Sequence, residues 1–303
     1  MSEMEWPTKT REMHNHHMDS TRWNDFQFRD GDIVIATWAK AGTTWAQQIV
    51  SQLVFGGAEG IPVFDISPWV DMRLIPREEV LGLLESQQHR RILKTHLPVD
   101  ALVMSQRARY LYLARDGRDV VWSFYHHHSS MTEQFFDALN GIPGLVGPPL
   151  GPPTTDVVQY FHDWLDRDGY PCWPFWSHVQ SWWDLRNLPN VMLVHFNDLK
   201  RDMPAEIRRI AAFLDIPIDE SRFPDIVEHC TFDYMKANAE KLSQMLDDTM
   251  FEGGMPNFIN KGTNARWSDM LSAEDIEKYE RAAAANLTPE CADWLANGRS
   301  EAA

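Results

Sequence analysis

The stretch GDIVIATWAKAGTTWAQQIVSQLVF, residues 31–55, combines three local patterns in one short run. Ile33-Val34-Ile35-Ala36 reads as a buried strand, Lys40-Ala41-Gly42-Thr43-Thr44 as a polar turn, and Ile49, Leu53 and Val54 recur at helical spacing. A strand that enters a helix through a glycine turn leaves the first N–H groups of the helix unpaired and aimed at one point, where the helix dipole favours negative charge. Lys40 adds a formal cation, and the Thr43 and Thr44 hydroxyls can donate to oxyanions or cap the helix. The pattern fits a phosphate loop of a non-Walker kind, because the lysine precedes the glycine. Plain helix capping is the alternative.

The 303 residues, 44% hydrophobic and without an evident linker, fit one domain over 1–303. With 28 Lys and Arg against 44 Asp and Glu, the net charge of −16 argues against nucleic acid or an anionic membrane as partner. Cys172, Cys230 and Cys291 lie far apart with no Cys-x-x-Cys pair, which suggests reduced thiols in a cytoplasmic protein. No signal core and no run of ~20 apolar residues occurs, so integral membrane association is not expected. Residues 1–22 are expected to be a loosely ordered terminus, with His14, His16 and His17 solvated rather than metal-bound. His126, His127 and His128 follow one another on an expected helix, so they face different directions, and no metal is assigned to them.

Further along, Gly56 to Trp69 reads as irregular, with Trp69 and Met72 as candidate pocket walls. A short strand ends at Lys94 and runs into Thr95-His96. The strand Ala108 to Ala114 leads through Arg115-Asp116-Gly117 into a helix, and Val191 to Val194 is a further strand. Strands alternating with helices imply a doubly wound parallel α/β sheet flanked by helices, in which Lys40, Lys94 and Arg115 converge at the carboxyl ends of strands. Residues 140–153, with nine Gly or Pro in fourteen positions, read as a mobile loop near the site. The stripe of Phe175, Trp176, Trp182 and Trp183 reads as core.

Four segments, in order, resemble the cytosolic-type sulfotransferases, which use 3′-phosphoadenosine 5′-phosphosulfate (PAPS) and release the bisphosphate PAP. Lys40-Ala-Gly-Thr-Thr-Trp45 resembles the family's phosphosulfate loop and Lys94-Thr-His96 its catalytic segment. Arg115 to Ser123 is similar to the 3′-phosphate segment, and Asn260 to Trp267 to the C-terminal Lys-Gly loop. The motif variants are most similar to bacterial aryl and glycolipid members. Three departures stand out: Ala39 and Ala41 replace the usual Pro and Ser around Lys40, Asn260 stands where animal members have Arg, and Phe196 stands where many have Tyr.

The resemblance implies roles. His96 would be the general base, with Lys40, Lys94 and Ser123 completing the catalytic group. Lys40, Ala41, Gly42, Thr43, Thr44, Trp45, Arg115, Ser123, Phe196, Phe232, Asn260, Lys261, Gly262 and Arg266 would bind the cofactor. The implied reaction is metal-free, in-line sulfonate transfer to a hydroxyl of a small, largely apolar or lipid-linked acceptor: a phenol, steroid or glycolipid. Two other readings stay open at this stage. One is a catalytically idle protein that binds 3′-phosphoadenosine nucleotides; the other is a P-loop nucleotide kinase.

Overall fold

The computed structural model describes residues 6–242, 249–259 and 261–299. Four strands, β1 (Ile33–Ala36), β2 (Ile92–Thr95), β3 (Arg109–Ala114) and β4 (Val191–His195), form a parallel sheet in the order β2-β1-β3-β4. Register is set by Ile33 opposite both Ile92 and Arg109, and by Tyr110 opposite Val191. All four residues of β1 are buried, as expected of a parallel sheet covered on both faces. Ile33 and Ile35 pack with Ile49 and Leu53 of helix α1 (Thr43–Val54) and with Ile207 and Ile210 of the helix Met203–Phe213. Val34 and Ala36 point the other way, into a core that holds Trp38, Trp164 and Trp182. The aromatic stripe at Phe175, Trp176 and Trp182 is core, as its spacing implies.

The chain reverses its direction of travel across the sheet at β1, whose neighbours are β2 and β3. A crevice opens beyond the carboxyl ends of strands at such a point. Lys40, His96, Arg115 and Phe196 follow the four strands and therefore border it.

Two expectations need correction. Residues 6–22 are not a solvated tail: Met13, His16, His17, Met18 and Ser20 are buried, and Arg73 N donates to His17 O at 2.8 Å. The cause is long-range packing, since the segment closes over the Trp-rich core through Trp23. The stretch 56–69 is mostly irregular but holds one helical turn, Val63–Ile66. Asn140 ends the helix Glu133–Asn140, and residues 141–153 hold no regular element, as the composition implies. None of these residues lines the crevice cavity, and the loop is tied down by Asn140–Leu150 bonds and by His128 Nε2 donating to Gly151 O at 2.8 Å.

The turn into α1 is held by close packing. Gly42 has φ 113°, and a Cβ there would lie 2.9 Å from Leu113 Cδ2 and 3.0 Å from Phe196 Cδ2. Gly42→Ala is expected to cost about 1–3 kcal/mol of stability from strain and overpacking. Urea unfolding checks this; an unchanged midpoint would contradict it.

Candidate active site

Helix α1 is entered from Gly42 without a side-chain cap, and among the described residues the N–H groups of Gly42, Thr43, Thr44 and Trp45 have no backbone partner. These donors border a cavity of about 560 Å³ lined by Gly42, Thr43, Thr44 and Trp45. Lys40, in a left-handed conformation with φ 65°, turns its side chain into the same space. Ala41 does not line the cavity, and its N–H is used by Trp38 O at 3.3 Å. The turn uses that amide in this conformation.

Lys94 and Arg115 bring two more cations to the cavity. Burial, with Lys94 and Arg115 nearby, lowers the Lys40 ammonium to about 7. Burial likewise lowers Lys94 to about 8, against the opposing pull of Asp71. Lys40 Nζ lies 4.3 Å from the Phe258 ring centre and Lys94 Nζ 4.5 Å from that of Trp69. Two crowded ammonium groups beside unpaired N–H donors fit a multiply charged anion.

His96 follows β2 and is buried. Its Nδ1 lies 2.7 Å from Thr37 O, an acceptor only, so Nδ1 carries the proton and Nε2 is left with a free lone pair. Burial and Lys94 hold the imidazole neutral, well below its ordinary value. The Thr37 hydroxyl lies 3.1 Å from the same Nδ1 and 2.6 Å from the Thr43 hydroxyl, which links the imidazole to the first turn of α1. Asp71, fully buried, accepts from Trp23 Nε1 at 3.1 Å and Trp69 Nε1 at 2.6 Å, and more distantly from His96 N at 3.4 Å. Trp69 meets the His96 ring edge-on with centroids 4.6 Å apart.

Arg115 is clasped by the C-terminal loop: Nε and Nη2 donate to Asn264 Oδ1 at 3.0 and 2.8 Å, and Nη2 to Thr263 O at 2.9 Å. Its guanidinium stacks over Phe196, 4.3 Å from the ring centre. Ser123, Phe196, Phe232, Lys261, Gly262 and Arg266 all line the cavity. Gly262 presses on Phe232, since a Cβ would lie 2.6 Å from its Cδ2. Arg266 Nη2 lies 3.2 Å from His126 Nε2. Asn260 lies outside the described residues. No cluster of three potential metal ligands occurs among the described residues. Thr37, Asp71, Asn264, His17 and His127 border or support the site unforeseen. Of these, only Asp71, two positions after the expected pocket wall Trp69, carried a local hint.

A sulfotransferase domain model matches residues 30–289. The chain belongs to the sulfotransferase family. It is 30% identical over 302 residues to a glycolipid sulfotransferase of Mycobacterium tuberculosis, covering 93% of this chain and 92% of that one. It is also 30% identical to Sulfotransferase 1B1 of Mus musculus over 275 residues, covering 86% and 83%. In fold it is similar to a retinol dehydratase crystallised with androsterone and the inactive cofactor PAP, with TM-score 0.70, 21% identity and coverage of 94% and 89%. As a member of this family the chain is an enzyme that transfers a sulfonate from PAPS to a hydroxyl acceptor. The kinase and idle-protein readings give way. No helix of the described residues is long and apolar enough to cross a membrane.

The lowered lysines give this sulfotransferase a pH signature. Above about pH 7 to 8, Lys40 and then Lys94 lose their protons in the free protein. A bound bisphosphate favours the charged forms, so PAP binding at pH 8 should take up protons and affinity should fall as pH rises from 7 to 9, by up to roughly tenfold per unit for each titrating group. Calorimetry in buffers of different ionisation enthalpy checks this. PH-independent binding without proton uptake would contradict it.

Proposed function

We propose that His96 Nε2 removes the proton from the acceptor hydroxyl while Lys40 and Lys94 stabilise charge on the leaving phosphate and the transferring group. The observation that carries the reading is the His96 Nδ1 contact to Thr37 O, which fixes the tautomer with a bare Nε2. PAPS supplies an activated sulfonate whose leaving group is its 5′-phosphate. The N–H groups of Gly42, Thr43, Thr44 and Trp45 hold that phosphate, and the Thr43 hydroxyl keeps the Thr37–His96 link in register. Arg115, braced by Asn264 and Thr263, meets the 3′-phosphate with Ser123 and the Lys261-Gly262 backbone; Trp45, Phe196 and Phe232 flank the adenine. The two lysines take the place a metal would have, so excess chelator should leave the rate unchanged.

The acceptor is largely apolar. Trp69, Met72, Ile75, Phe135, Trp173 and Phe251 line the part of the cavity not bordered by the phosphate loops, which supports a phenol, steroid or glycolipid. The glycolipid relative supports the last of these.

His96→Ala should lower kcat by ~10²–10⁴ while PAP affinity changes little. Steady-state rates and PAP titration check both halves. Full activity in the variant would remove His96 from the mechanism.

A further inference from the structure

Beyond the reacting group, the cavity holds a second imidazole whose proton position is fixed. His16 Nε2 lies 2.9 Å from Pro171 O, which only accepts, so His16 carries its proton on Nε2 and offers a lone pair at Nδ1. His17 Nδ1 contacts that lone pair and must donate to it. The proton of His17 is therefore on Nδ1, and its Nε2 is a bare acceptor. His16 and His17 are both buried, and the backbone N–H of His17 donates to Asn15 Oδ1 at 2.8 Å. His17 Nε2 has no hydrogen-bond partner among the described residues, and the residue lines the same cavity as His96.

Trp69 connects the two imidazoles. His17 stacks on it with ring centroids 6.3 Å apart and planes 18° from parallel, and His96 meets its edge. The cavity thus offers two neutral imidazoles in the same tautomeric state on either contact of one indole. One accepts the reacting proton, and the other has no role in that step. His127 also lines this cavity, and its buried Nδ1 has no hydrogen-bond partner among the described residues. Polar ring atoms left unpaired in an apolar wall are costly unless a ligand group satisfies them. A bare acceptor nitrogen is satisfied by an O–H or N–H donor.

We propose that His17 Nε2 is a specificity-determining acceptor that receives a hydrogen bond from a second hydroxyl on the acceptor molecule, so that the preferred acceptor is a diol or polyol at its reacting end. The inference rests on the sulfonate-acceptor reading above. It narrows that reading from any apolar alcohol to an apolar body that bears neighbouring hydroxyls, whether an aromatic diol or a sugar head group. A lone hydroxyl engages His96 and leaves His17 unpaired; a second one pairs both. A site that hydrogen-bonds a substrate hydroxyl discriminates against the analogue that lacks it.

The test compares 2,3-dihydroxynaphthalene, 2-naphthol and octyl glucoside as ligands of the PAP-saturated protein, read by quenching of tryptophan emission, and then as acceptors with PAPS. His17→Phe keeps a flat ring without a lone pair, and His17→Gln keeps an acceptor oxygen. Wild type should bind a diol or the glucoside about tenfold or more tighter than its His17→Phe variant does, with 2-naphthol within about threefold and His17→Gln recovering part of the loss. Whichever ligand loses more identifies aromatic diol or sugar. Equal loss for mono- and dihydroxy ligands, or no loss for either, overturns the proposal. Because binding is read without turnover, failure of every acceptor to be sulfonated would count against the transfer reading while the binding ratio still decides the role of His17.

Discussion

The structure is arranged around a concentration of positive character that Asp119, beside Arg115, and Asp71, near Lys94, offset only in part. Four N–H groups at the start of α1, the Lys40 and Lys94 ammonium groups and the Arg115 guanidinium border one cavity at the carboxyl ends of β1, β2 and β3. In a chain of net charge −16 this is a local inversion of sign. Burial lowers both lysines, with Lys94 and Arg115 adding to the effect on Lys40, so above about pH 7 to 8 the free protein sheds part of this charge. On the proposed reading an arriving phosphate would restore the charges and meet donors that need little further reorganisation.

The other features of the site serve that arrangement. Thr37 ties the first turn of α1 to His96 through its hydroxyl and sets the His96 tautomer through its carbonyl. Asp71 holds Trp69 against both His96 and Lys94. Asn264 and Thr263 brace Arg115 and so tie the C-terminal loop to the end of β3. Burial on both faces of the sheet keeps these ends in register.

Much of this is legible locally. The apolar run of β1, the glycine turn and the spacing along α1 lie within one short window, and the charged ends of β2 and β3 follow strands that stand out by composition. The capping box at Ser272 and Asp275 is found as its sequence implies. What stays hidden joins distant residues. His96 meets Thr37 across 59 positions, Arg115 meets Asn264 across 149, and His16 meets Pro171 across 155. The N-terminal histidines look like a polar tail in sequence because their burial depends on the Trp-rich core assembled from later segments. Ala41 fits the loop motif, but its amide closes the turn instead of facing the cavity.

The most direct test of the account is whether the site distinguishes a 3′-phosphorylated adenine nucleotide from an ordinary one. Thermal unfolding would be followed with PAP and with ADP in excess chelator. The account predicts a clear upward shift with PAP, equivalent to ~2.7 kcal/mol at about 100 times its dissociation constant, and little with ADP. Equal shifts with both, or none with PAP, would contradict it.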